Sequence, residues 1–155
     1  MADPLKQEEV TAFLKKWVSA YETGDKSFFD FFTRDASFFS VSSPTRIDGL
    51  EEFRRGFEEQ FLGQKRRSQI LSPEIRVAGD AAIASYHNRV SVGGATANMR
   101  ATVVVVRGQG GLQIAHLHNS PLASVGVPAS GRSPDSVTLL EERVATAAAA
   151  VGTPK

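Results

Sequence analysis

The sequence predicts an α+β fold, with helices first and consecutive antiparallel strands after them. Three observations carry this reading. Apolar residues recur at spacings of three and four across residues 7–22 and again across 50–62, the mark of a helix with one buried face. From residue 69 onward the apolar pattern alternates, interrupted at Gly79-Asp80, Gly93-Gly94 and the stretch 108–111. No helical period separates those strands, which argues against a doubly wound parallel sheet.

Each element follows in order. In residues 7–22, Val10, Phe13, Leu14, Trp17, Val18 and Tyr21 fall on one face, while Lys15, Lys16 and Glu22 lie off it. Gly24 is a stop signal. A short second helix is expected at 26–33, carrying Phe28, Phe29, Phe31 and Phe32. Residues 36–42 read as a strand, and Ser43-Pro44 and Asp48-Gly49 as turns. The third helix, 50–62, sets Leu50, Phe53, Phe57 and Phe61 against a charged face. Strands are then expected at 69–77, 81–92, 96–106 and 112–120, the middle two forming a hairpin about Gly93-Gly94. Residues 1–122 form the domain and 123–134, rich in Ser, Gly, Pro and Ala, a linker. Within 135–155, Val137, Leu140, Val144 and Val151 have helical spacing. That segment reads either as a docking helix or as a solvated tail.

Bulk properties narrow the function. A length of 155 residues suits one domain. The net charge of +1, with acids and bases interspersed, offers no basic stripe for nucleic acid. The absence of cysteine excludes disulfides and thiolate chemistry. The polar start, MADPLKQEEV, reads as no signal peptide, and no apolar run approaches the roughly 20 residues of a membrane span. A cytoplasmic protein is the expectation.

Two stretches resemble a known family. "AYETGD" (residues 20–25), "FFTRDASFF" (31–39) and "RIDGLEEFRRGFEEQF" (46–61) resemble the first half of SnoaL-like proteins of the nuclear-transport-factor-2-like superfamily. "VVVVRGQGGLQIAHLHNSP" (103–121) is similar to the closing hairpin of the calmodulin-dependent kinase association (hub) domain, where an Arg and a glycine-containing turn precede a strand ending in His-x-His-x-Ser. The resemblance spans roughly residues 7–122, with Leu112 standing where an aromatic is usual. It implies a cone-shaped, strongly curved antiparallel sheet wrapped around three N-terminal helices. It also implies a cavity in the cone and an open sheet face used for dimers or larger rings.

The polar residues of the strands point to a binding site. Side chains two apart share a face, which groups Ser85, His87 and Arg89, then Asn98, Arg100 and Thr102, then His116, His118 and Ser120. If these faces converge, two guanidinium groups and up to three imidazoles form a cluster suited to a carboxylate or another compact polar organic molecule. The hub resemblance implies arginine and histidine in the pocket as well. The alternative places Arg89 or Arg100 on the open face, paired with a glutamate. The candidate ligand-binding set is therefore Trp17, His87, Arg89, Arg100, His116 and His118. No metal is expected: His116 and His118 lack a third ligand beyond His87, and no carboxylate lies on the strands between Asp80 and Pro121. The commoner role for such a pair is structural, with His118 buried and hydrogen-bonded. No cofactor is expected.

Against the ketosteroid isomerase branch of the superfamily, the position of the catalytic aspartate falls on Ser40 and that of the oxyanion tyrosine on Trp17. Neither residue fits its role, although Trp17 keeps an indole donor. A lyase or isomerase would need His87 or His116 as its acid–base. Tyr21 and Tyr86 are candidates to orient a ligand, and Asp30 and Asp35 read as surface or capping residues. The phenylalanines of 28–39, with Phe53, Phe57 and Phe61, read either as core or as a cavity wall. Three functions are thus in play: small-molecule binding, oligomerisation through Val90, Val92, Val103 and Val105 on an open sheet face, and histidine-based lyase or isomerase chemistry.

Overall fold

The computed structural model describes residues 3–122. Helix α1 (Gln7–Thr23) buries Val10, Trp17 and Ala20. Its start is tied down twice through Glu9, which accepts from the Lys6 backbone N–H at 3.2 Å and from both Arg107 guanidinium nitrogens at 3.0 and 2.9 Å. Its end is set by Gly24 at φ +65°, where the Gly24 and Asp25 N–H groups donate to the Tyr21 and Ala20 carbonyls. A Cβ on Gly24 would stand 2.6 Å from the Gln64 carbonyl oxygen, so backbone angle and space both require glycine.

The expected second helix is a six-residue 3₁₀ turn (Lys26–Phe31), capped by Asp25, whose Oδ1 accepts from Ser27 N–H at 2.8 Å. The chain is already extended at Phe32, four residues earlier than the strand expected at 36, which leaves room only for the tighter winding. Strand β1 (Phe32–Phe39) leads to a two-residue strand β2 (Ile47–Asp48), then to helix α2 (Leu50–Phe61). Strands β3 (Arg67–Ala78), β4 (Ala81–Val92), β5 (Ala95–Gly108) and β6 (Gly111–Pro121) complete the sheet. The expected linker at 123–134 and helix at 135–155 lie outside the described residues.

The six strands run in the order β2-β1-β6-β5-β4-β3, an open sheet with β2 and β3 at its edges. All neighbours are antiparallel except β1 and β6, which are parallel. This corrects the wholly antiparallel sheet of the expectation. A hairpin dictates opposite directions, but β1 and β6 are joined by most of the chain, so no local turn sets their direction. Register shifts at Phe32/Ser37, Leu71/Glu74 and Val104/Val105 add local bends and twist.

One face of the sheet, here called inner, lies against α1, the 3₁₀ turn and α2. Between them sits an aromatic core. Phe38 stacks on Phe53 at 4.0 Å between ring centres, Phe28 meets Phe61 at 4.6 Å, and Trp17 stacks on Phe28 at 5.8 Å. Arg66 closes one end, its guanidinium 4.9 Å from the Tyr21 ring and 4.6 Å from the Phe61 ring while donating to the Tyr21 carbonyl. Val103 and Val105, expected on an open face, are buried in this core, and Val90 is buried too. The physical reason is phase: β5 is apolar on both faces from Val103 to Val106, so alternation alone does not say which set the helices cover. Among the described residues, no helix is long and apolar enough to cross a membrane.

Candidate functional site

A cavity of about 100 Å³ lies between α1, α2 and the inner face. Alternation builds its sheet wall. On β4, Ala82, Ala84, Tyr86, Asn88 and Val90 point inward, and Tyr86 and Asn88 reach the cavity. On β5 the inward set is Met99, Ala101, Val103 and Val105, with Met99 at the cavity. On β6, Leu117 and Asn119 reach it. The helices contribute Trp17, Val18, Tyr21, Phe53 and Phe57.

The lining contains no carboxylate, imidazole, ammonium or guanidinium. Its polar side chains are the Trp17 indole, the hydroxyls of Tyr21, Tyr86, Ser40 and Ser68, and the neutral amides of Asn88 and Asn119. The Trp17 indole N–H is buried and has no partner among the described residues. Asn88 accepts from the Ser68 hydroxyl at 2.8 Å through Oδ1. Burial raises the Tyr86 phenol well above its usual range, and burial likewise raises Tyr21, opposed by the nearby Arg66 charge. Both hydroxyls are therefore protonated at neutral pH. Such a chamber can orient a neutral guest by donating hydrogen bonds, and it has nothing that titrates near pH 7.

Of the residues expected to bind ligand, only Trp17 lines the cavity. His87, Arg89, Arg100, His116 and His118 lie together on the opposite, outer face of the sheet. In register, His87 stands across from Arg100, Arg100 from Ser120, and Thr102 from His118. Arg89 donates to Asn98 Oδ1 at 3.2 Å. The Arg/His set and the aromatic floor are therefore separated by the thickness of the sheet, where one rim was expected. The cause is the same phase ambiguity as for the valines, compounded on β6 by a bulge. Val104 pairs with His116 but Val105 pairs with Ile114, so Ala115 is the extra residue. Ile114 and Leu117, three apart, thus both face inward, and strict alternation through this strand would misplace one of them.

The roles expected of the two closing histidines are also exchanged. His116 Nδ1 is 2.8 Å from the Ser37 hydroxyl and the ring is partly buried, whereas His118 is exposed. Burial lowers the His116 pKa, helped by His118 and Arg46 and opposed by the Ser37 contact. The His87 Nδ1, on the same outer face, is buried and has no partner among the described residues. Among the described residues, no three His, Asp or Glu side chains gather into a metal-binding group. Asn88, Asn119 and Met99 were missed from the sequence. The available signal was that Tyr86 and Asn88 share a parity with Ala82 and Ala84, small residues suited to a surface under a helix.

Helices laid across one face of an open, locally bulged sheet match the fold of solved NTF2-like proteins. An NTF2-like protein of unknown function from Pseudomonas putida KT2440 superposes with a TM-score of 0.69 at 20% identity, covering 83% of this chain and 93% of that one. The association domain of C. elegans CaMKII gives 0.64 at 19% identity, covering 74% and 94%. A protein proposed to be a dehydratase, of the NTF2-like family from Streptomyces avermitilis, gives 0.67 at 20% identity, covering 74% and 94%. Within this class the chain belongs to the SnoaL-like domain family, whose model matches residues 10–124. No curated protein sequence matches the chain.

Proposed function

We propose that this protein is a small-molecule binding domain whose cavity takes a compact, uncharged, largely apolar guest carrying a hydrogen-bond acceptor. The observation that carries this reading is the buried, unpartnered Trp17 N–H in the wall of a chamber without charge. A buried donor left unpaired costs about 1–3 kcal/mol, which an acceptor on a guest would recover. A carboxylate is the wrong guest for this chamber, because Arg89 and Arg100 lie on the other face and an unpaired buried charge is expensive. The placement of His87 and His116 on that face likewise favours binding over acid–base turnover at the cavity.

Trp17 is the single tryptophan of the chain, so its emission reports on this cavity alone. Titration with phenol should quench or shift the emission, and benzoate, its charged counterpart in size, should not. Trp17→Phe, followed by thermal shift, should lose most of the phenol-induced stabilisation, about 2.7 kcal/mol at a hundredfold excess over Kd in the parent. Binding of benzoate in preference to phenol would refute the assignment.

A second reading concerns the outer face. Ile83 is 49% exposed there, with Val104 across from it, and Phe39, 43% exposed, packs against His116 and His118 at 5.7 and 5.2 Å. An exposed apolar strip on a sheet face suits association between copies, as does the likeness to hub domains. If this face joins subunits, Ile83→Asp should convert an oligomer to monomer by light scattering. A wild-type protein that is already monomeric at micromolar concentration would rule the reading out.

A further inference from the structure

A second concavity, an open groove of about 480 Å³, runs between α1 and the β3 edge of the sheet. It has the cavity's own side chains as part of its wall: Val18, Ile70 and Tyr86 line both. Its remaining apolar surface comes from Leu14, Ile75 and Ala84, and Thr11 stands at its helix side. Two features keep it open. Ala84 is too small to fill the gap beneath the helix. The β3 bulge, with Ser72 at φ +50° followed by Pro73, interrupts the strand at the middle of the groove.

Hydrogen bonds between helix and strand cross the groove only near its ends. At one end Gln7 Nε2 donates to the Ile75 carbonyl at 3.5 Å. At the other, Glu22 Oε2 accepts from Ser68 N–H at 3.2 Å, and the Ser68 hydroxyl in turn donates to Asn88 in the cavity wall. The result is a slot with an apolar floor, bounded at both ends and bordered on its cavity side by Val18, Ile70 and Tyr86. Well-packed interiors leave few voids of this size between a helix and its sheet.

We infer that the cavity and the groove are two compartments of one site, and that the guest is a ring-headed molecule with an unbranched aliphatic chain. The head lies against Trp17 and Asn88, and the chain runs past Tyr86 along Leu14 and Ile75. This rests on the reading of the cavity given above and names the class of molecule it takes. The commitment to a chain follows from adjacency: Val18, Ile70 and Tyr86 face both spaces, and the groove's floor is apolar, with the charged Lys15 and Glu22 confined to its helix side.

The test is a titration of Trp17 emission with phenol, 4-propylphenol and 4-hexylphenol. Affinity should rise with chain length, by up to about fourfold per fully buried methylene, equivalent to ~0.8 kcal/mol. Two groove variants, Thr11→Phe and Ile75→Asp, should abolish that rise while leaving phenol affinity unchanged, which also shows that each variant is folded. Phenol binding with no dependence on chain length would overturn the chain inference and leave the cavity reading intact. Long-chain phenols that bind while phenol does not would show the groove acting alone and overturn the single-site inference. Absence of binding by all three would remove both.

Discussion

The inner and outer faces of the sheet are made from the same three central strands and could hardly differ more. Inward from β4, β5 and β6 come Tyr86, Asn88, Met99, Val103 and Leu117, against an aromatic core and a cavity without charge. Outward come His87, Arg89, Arg100, His116 and His118, with His87 in register with Arg100. Neighbouring residues therefore live in opposite environments, a few ångströms of backbone apart. The difference teaches that the chemistry of this chain is divided: hydrogen-bond donation to neutral groups on one side, cations and titratable rings on the other.

The sharpest way to break that comparison uses adjacent phenylalanines. Phe38 is 1% exposed and stacked on Phe53, whereas its neighbour Phe39 is 43% exposed beside the imidazoles. Phe38→Ala should cost about 3–5 kcal/mol, the range for a buried aromatic deletion. Phe39→Ala should cost less than about 1 kcal/mol, as for surface positions. Urea midpoints of the two variants measure the contrast, and equal losses would mean that the faces are not as different as described.

Two asparagines give the next largest effect. Asn88 and Asn98 are both 8% exposed, one inward and one outward. In Asn88→Asp a carboxylate enters the uncharged cavity, at a cost of about 1–3 kcal/mol. Burial would raise its pKa above the unfolded value near 3.9. The penalty is then absent below that value and grows as pH rises through the raised one, so the variant should regain stability on acidification. Asn98→Asp meets Arg89, which already donates to that position, and should be neutral or stabilising by up to about 1 kcal/mol. Chemical denaturation at two pH values separates these outcomes. A stable Asn88→Asp protein at neutral pH would reveal a cation or water in the cavity wall.

Much of the fold was legible because it is encoded locally. The stripe from Val10 to Tyr21 places α1 within a residue or so, and Gly93-Gly94 places the β4–β5 hairpin. What was hidden is non-local. The parallel pairing of β1 with β6 joins residues such as Ser37 and His116, 79 positions apart, and β2 pairs only two residues. The site suffered most from this. Period two sorted the strand residues into the right sets, since the Arg/His group does share a face. It could not say which set the helices would cover when Val103 to Val106 are apolar throughout. Of the candidate binding residues, only Trp17, on a helix whose buried stripe is unambiguous, lies in the cavity wall.

The smallest expected effect sharpens the outer face. Burial, His118 and Arg46 hold the His116 imidazole below its ordinary value near 6.5, with the Ser37 contact pulling the other way. Between the depressed folded value and the ordinary unfolded one, the unfolded chain binds more protons. The stability associated with neutral His116 is therefore complete above about pH 6.5 and is lost as pH falls through the folded value. The Glu9 carboxyl, lowered chiefly by its hydrogen bonds from Arg107, titrates well beneath this window and does not blur it. His116→Gln keeps a polar side chain near Ser37 but cannot titrate. Between about pH 7.5 and about pH 5.5 its urea midpoint should therefore fall less than that of the parent. Parallel slopes for the two proteins would show that His116 is not held neutral by its neighbours on the outer face.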